Sequence, residues 1–218
     1  KLHNKTINGL EVKIYRVCSG VKGMSVKKQK KYRKELNSKG KIDLIDEHKI
    51  IKRPKIILNE VENLKKLGFD KIILSGYSAG GWSSLVLQSR HPEKIIGTIA
   101  FNPAFAGPKK EWQKKYPEWG AFRDDSINKL NKADKINAIV FAHKDDIFED
   151  PKTLSFFENF KDLSLIDYSE LKPTKCNWAD VNEKMTADKG HNIPQSKCFT
   201  KYLEDKNYLI SFLENIIK

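Results

Sequence analysis

The strongest chemical signal lies in one short stretch running from Leu74 to Trp82, which reads LSGYSAGGW. Within it, Gly76-x-Ser78-x-Gly80 falls between a buried-type apolar run, Lys71 to Leu74, and a helical pattern from about Ala79 to Arg90. A sharp strand-to-helix turn at this point strains the backbone of the serine and lifts its hydroxyl clear of the sheet. The small residues Gly76, Ala79 and Gly80 let the helix pack close behind it. The helix N-terminus sets backbone N–H groups and a positive dipole beside the hydroxyl, which suits a developing oxyanion. This is the chemistry of a nucleophilic serine.

A serine hydroxyl attacks poorly unless a base takes its proton and an acid orients that base. After an elbow of this kind, the acid follows in the chain and the histidine comes last. Three histidines follow Ser78: His91, His143 and His191. His91 closes the helix after the elbow and is expected to point away. His143 ends the apolar run Ile136–Ala142. His191 follows Gly190 in the long loop before the last helix, so it has the right order and a flexible carrier, and it is the expected base. The acid is expected just after the run Ile136–Ala142, where Asp145 and Asp146 stand side by side. Asp145 sits at the preferred offset, in a Gly/Ala-x-x-Asp-x-x-apolar pattern, with Asp146 as the alternative. Glu149 and Asp150 read as the solvated start of the next helix, where acids favour the dipole.

These side chains need a frame, and the hydrophobic periodicity supplies one. Leu10 to Val17 alternates with period two and reads as a strand, preceded by the hairpin signal Asn8-Gly9. Ser25 to Leu36 reads as a Lys-rich helix, and Ile42 to Ile45 as a short strand. Pro54 is expected to open a helix through Lys66, with Gly68 as its stop. Strands are expected at Lys71–Leu74, Ile95–Phe101, Ile136–Ala142 and Leu163–Asp167, and helices at Ala79–Arg90, Thr153–Lys161 and Phe199–Ile217. Strands and helices alternating at such spacings make βαβ units around a mostly parallel sheet. The expected fold is α/β, in one domain spanning residues 1–218.

Composition narrows the function classes. The chain has 218 residues, enough for a full core without structural metal, and apolar residues make up 39%, too many for disorder. Lysine and arginine number 41 against 28 acids, for a net charge of +13. Only Arg16, Arg33, Arg53, Arg90 and Arg123 are arginines, which argues against sequence-specific nucleic-acid binding. The densest basic stretch, Lys27 to Lys34, reads as a solvated helix face. No apolar run is long enough to cross a membrane. The chain opens at Lys1 with no signal-peptide pattern, so something upstream is expected to have been removed. Cys18, Cys176 and Cys198 lack zinc-ligand spacing, and neither a metal nor another cofactor is expected. Cys176 and Cys198 flank His191, and a bridge between them is expected to restrain that loop and would point to a secreted or periplasmic protein. Cys18 is expected to be a buried free thiol.

The elbow with Gly81 and Trp82, the Asp145 segment and the pair Gly190-His191 together resemble the α/β-hydrolase superfamily, and more narrowly its small dienelactone-hydrolase-like esterases. The resemblance covers nearly the whole chain in element order, without most of the superfamily's extra N-terminal strands. It implies a minimal α/β-hydrolase fold and an oxyanion hole formed by the backbone N–H of Ala79 and that of Val21, in the loop from Cys18 to Gly23. That loop has Ser19 where the superfamily's His-Gly turn has histidine. Dienelactone hydrolases proper carry a cysteine nucleophile, and this chain has Ser78. The segment 103–135 is expected either as a small lid or as a cover for the sheet edge. Its Trp112 and Trp119, together with Trp82, are expected to contact substrate, and its lysines could hold an anionic group. The reaction implied is hydrolysis of a small carboxylic ester by Ser78, Asp145 and His191 through an acyl-enzyme. A thioester or amide would suit the same machinery, and a non-catalytic polyanion-binding protein is the alternative of a different class.

Overall fold

Residue Asn8 at φ 48° and Gly9 at φ 79° turn the chain back on itself in the double left-handed geometry that a two-residue hairpin needs. The turn joins β1 (Thr6–Ile7) to β2 (Leu10–Glu11). The expected strand thus pairs over only two residues, although Val12 still exchanges backbone hydrogen bonds with Lys5 and Asn4. The computed structural model describes residues 2–17, 49–105, 107–114, 117–172, 176 and 189–218. The expected helix 25–36, strand 42–45, Cys18, Val21 and the basic stretch 27–34 lie outside these.

The frame is an α/β unit built on a four-stranded parallel sheet in the order β3-β4-β5-β6: β3 (Ile72–Tyr77), β4 (Ile95–Phe101), β5 (Ala138–Ala142) and β6 (Leu163–Asp167). Among the helices, α1 covers Lys49–Lys66, α2 Ala79–Arg90, α3 Lys109–Lys114 and α4 Pro117–Leu130. After β6 come a single turn α5 (Lys189–Asn192), α6 (Lys197–Asp205) and α7 (Tyr208–Ile216). None of the described helices is long and apolar enough to cross a membrane.

Strand β5 is buried along its whole length, as expected of a parallel strand covered on both faces. Ala138, Val140 and Ala142 face a core shared with Trp82 and Leu85 of α2, Phe122 and Leu130 of α4, and Phe157. Ile139 and Phe141 face the opposite core, with Phe199 and Tyr202 of α6. This two-residue alternation assigns the helices to their layers. Phe141 is fully buried, and truncating such a side chain to alanine costs about 3–5 kcal/mol.

Three of the expected helices differ from the sequence expectation. Helix α1, described from Lys49, keeps Pro54 inside it, where the ring forfeits one helical hydrogen bond. The expected helix at Thr153–Lys161 is a 3₁₀ segment, Ser155–Asn159. The closing helix is two helices, because Asn207 adopts φ 53° between α6 and α7, a left-handed conformation that asparagine tolerates and that terminates helices.

Candidate active site

Apart from His191 on α5, the polar residues of interest come just after the C-terminal ends of the parallel strands, where open α/β sheets place their ligands. Ser78 follows β3, Asn102 follows β4, His143 and Asp146 follow β5, and Tyr168 follows β6.

Ser78 stands at φ 55° and ψ −128° between β3 and α2, an uncommon and strained conformation for a residue with a side chain. Its N–H donates to Phe101 O at 2.9 Å, and its carbonyl accepts from Trp82 N–H and Ala104 N–H, both at 3.1 Å. The turn closes only because its neighbours are small. A Cβ on Gly76 would lie 2.4 Å from the Gly80 carbonyl carbon, and one on Gly81 would lie 3.0 Å from Gly76 O. Ala79 is the first residue of α2, so its N–H has no partner within the helix. Val21, the other expected donor, lies outside the described residues.

His191 Nε2 lies 2.9 Å from Ser78 Oγ, and His191 Nδ1 lies 2.7 Å from Asp146 Oδ2. A carboxylate only accepts, so Nδ1 carries the proton and Nε2 faces the serine as an acceptor. Both His191 and Asp146 are buried. The other Asp146 oxygen, Oδ1, accepts from Phe148 N–H at 2.8 Å. The Phe148 ring packs at a tilt against the imidazole, 4.4 Å between centroids, and the Tyr77 ring does so at 5.0 Å. The Tyr77 hydroxyl reaches Asn192 Oδ1 at 2.7 Å and His191 O at 3.1 Å. Gly190 makes the approach feasible, since a Cβ there would lie 2.2 Å from Asp145 O.

Asp145, the acid expected from its offset, is not the residue that meets His191. Its side chain is 55% exposed and lies 3.9 Å from His143 Nδ1. The reason is the turn after β5, in which Asp146 N–H donates to His143 O at 3.0 Å and Asp145 N–H to His143 Nδ1 at 3.1 Å. This rolls Asp145 outward and Asp146 inward. His143 is itself fully buried, with Nε2 2.9 Å from Leu171 O. It therefore carries its proton on Nε2 and serves the turn. His91 closes α2, its N–H donating to Leu87 O, at the helix end remote from Ser78.

Of the expected substrate contacts, Trp82 and Trp119 have described side chains, and both pack on the core. Trp82 is only 4% exposed. It belongs to the core, and its indole N–H donates to Ser126 Oγ at 3.0 Å. Trp119 is half-buried against the same core and packs edge-on to Phe122 at 5.8 Å. Trp112 lies on α3, and its side chain is outside the described residues. Segment 103–135 thus contributes two helices, of which α4 supplies core residues.

Glu149, expected to be solvated, is 1% exposed. Its oxygens accept from Arg123 Nε at 2.6 Å and Nη2 at 2.8 Å. Burial pushes its carboxyl up, and the Arg123 fork pulls it back. The pair joins α4 to the loop carrying Asp146. Asp150 is partly buried too, paired with Lys109 and bonded to Thr153. Cys176 and Cys198 form a disulfide with Cα atoms 5.5 Å apart. Among the described residues, no cluster of three or more potential metal ligands occurs.

No family model matches the chain, and no curated protein matches it in sequence. Its structural neighbours include lipases and esterases. One is a monoacylglycerol lipase from Paleococcus ferrophilus, at 18% identity and TM-score 0.40, covering 55% of this chain and 65% of that one. A predicted CIB-like hydrolase from Thermoplasma acidophilum matches at 15% identity and TM-score 0.45, covering 76% and 60%. Naproxen esterase from Bacillus subtilis matches at 12% and 0.44, covering 73% and 66%. The chain spans less than two thirds of each of these structures. Similarity this distant lends no support to a particular chemistry.

Proposed function

We propose that this chain is a serine hydrolase that cleaves carboxylic esters through an acyl-enzyme. The observation that carries the reading is the unbroken chain from a left-handed Ser78 through His191 to the buried Asp146. Ser78 Oγ attacks the carbonyl carbon while His191 Nε2 takes its proton. Asp146 keeps the imidazole in the required tautomer and stabilises the imidazolium. The Ala79 N–H donates to the oxyanion. Collapse of the tetrahedral intermediate expels the alcohol, which receives the proton from His191. Water, deprotonated by the same imidazole, then releases the acid and restores Ser78.

The motif likeness to dienelactone-hydrolase-like esterases fits this reaction, while the serine nucleophile speaks against a dienelactone substrate. Hydrolysis of p-nitrophenyl acetate by the wild type and by Ser78→Ala tests the proposal. Activity should disappear in the variant with the fold intact, and retention of a substantial fraction contradicts it.

A further inference from the structure

His191 must be held from both sides to serve as a base. Helix α5, Lys189–Asn192, carries it, and contacts from other elements fix its position. Two of these contacts come from residues with no part in the Ser78–His191–Asp146 chain: the Tyr77 hydroxyl, on His191 O and Asn192 Oδ1, and the side chain of Asn102.

Asn102 lies one residue beyond β4, fully buried, at φ 42°. Its backbone N–H donates to Phe141 O at 2.9 Å, which extends the β4–β5 ladder. Its side-chain Nδ2 donates to two consecutive carbonyls of the histidine segment, Gly190 O at 3.0 Å and His191 O at 2.9 Å. Carbonyl oxygens only accept, so the amide nitrogen must face them and Oδ1 must face the other way. There it meets the Tyr168 hydroxyl at 2.7 Å, which is thereby the donor. Tyr168 is fully buried at the end of β6, and its N–H donates to Ala142 O at 3.1 Å. Burial pushes the Tyr168 hydroxyl well above the usual phenol range, so it remains a donor at any working pH.

We propose that Asn102, oriented by Tyr168, is a positioning residue that holds the His191 segment in register with Ser78. The proposal rests on the hydrolase reading of the site. The carboxamide ties the ends of β4 and β6 to the two backbone carbonyls that flank the His191 Cα. An asparagine also suits the spot because it tolerates the left-handed backbone. Aspartate there would have no hydrogen to give the two carbonyls and would repel them.

The test uses Asn102→Gly, which keeps the left-handed backbone and removes only the carboxamide, together with Asn102→Asp and Tyr168→Phe. Misplacing a reacting group by about 1 Å costs about 10²-fold, so kcat should fall by that order in Asn102→Gly and at least as far in Asn102→Asp. Tyr168→Phe removes the orienting hydroxyl alone and should lower kcat about tenfold. KM should hold in all three, because the lost contacts touch no substrate. The low-field proton resonance of His191 Nδ1–H should weaken or vanish in Asn102→Gly.

Full kcat in folded Asn102→Gly or in Tyr168→Phe, or a loss confined to KM, overturns the proposal. If Asn102→Gly does not fold, Tyr168→Phe decides. A wild type without esterase activity, or a Ser78→Ala variant as active as wild type, overturns the hydrolase reading instead. The His191 resonance still reads the role of Asn102 in that case: its retention unchanged in Asn102→Gly refutes the positioning role independently.

Discussion

Replacing Asp146 by asparagine should disable the base without disturbing the fold. Asp146 uses both oxygens: Oδ1 accepts from Phe148 N–H at 2.8 Å and Oδ2 faces His191 Nδ1 at 2.7 Å. An asparagine that keeps the Phe148 bond must turn its NH₂ toward Nδ1. Nδ1 then becomes an acceptor and the ring proton moves to Nε2, where it can no longer take the Ser78 proton. Flipping the amide restores the tautomer but sets NH₂ against the Phe148 N–H. The wrong tautomer is therefore favoured, and the loss in kcat should be on the order of 10⁴, equivalent to about 5.5 kcal/mol of transition-state stabilisation. Asp145→Asn removes a mostly exposed carboxylate and should stay within about 0.5 kcal/mol of wild type in stability, with kcat nearly unchanged. Initial rates on p-nitrophenyl acetate, with thermal unfolding as a control for folding, compare the two. Equal losses, or a larger loss in Asp145→Asn, would refute the tautomer argument.

Glu149→Gln removes the buried counter-charge of Arg123 and should cost about 3–5 kcal/mol, a fall in Tm of roughly 6–20 °C for a domain of this size; a shift under about 2 °C would show the pair to be dispensable. For Asp150, burial pushes the carboxyl up, but the hydrogen bonds from Lys109 and Thr153 outweigh it and hold the group below its ordinary value. A depressed carboxylate contributes stability above its unfolded pKa of about 3.9 and loses it as pH falls through the folded value. The Tm gap between wild type and Asp150→Asn should therefore be constant near neutrality and close below about pH 4; a gap that widens in acid contradicts the assignment. The Cys176–Cys198 bridge, at a sequence separation of 22, should contribute about 3 kcal/mol by restricting the unfolded chain, so dithiothreitol should lower Tm. Titration of the denatured, unreduced protein should find one thiol, and three would exclude the bridge.

The parts of this molecule visible in the sequence are those with a strict local code. The elbow announces itself because the Ser78 turn leaves no room for a side chain at Gly76 and little at Gly81, whereas a Cβ on Gly80 would meet nothing. Strands β4 and β6 were expected with the bounds they have, since each is a short, mostly apolar run. His191 follows from chain order and from Gly190. The choice between adjacent aspartates was different. Strand periodicity ends at Ala142, and the turn beyond it is set by hydrogen bonds to His143 that no spacing rule encodes. Trp82 and Glu149 misled for a related reason: an aromatic beside the elbow and an acid near a helix start have common surface roles, whereas here partners remote in sequence, Ser126 and Arg123, draw both inside. Asn102 carried one faint signal, its place just past the end of a parallel strand. Its partners lie 66 and 89 positions away in the chain.

The measurement that bears most directly on the account is labelling with a fluorophosphonate followed by peptide mapping. Phosphonylation requires a hydroxyl activated by a neighbouring base, so one adduct per chain is expected, on the peptide containing Ser78, and it should be lost in Ser78→Ala and strongly slowed in Asp146→Asn. Failure of the wild type to react, or an adduct on any other residue, would contradict the assignment of Ser78 as the nucleophile.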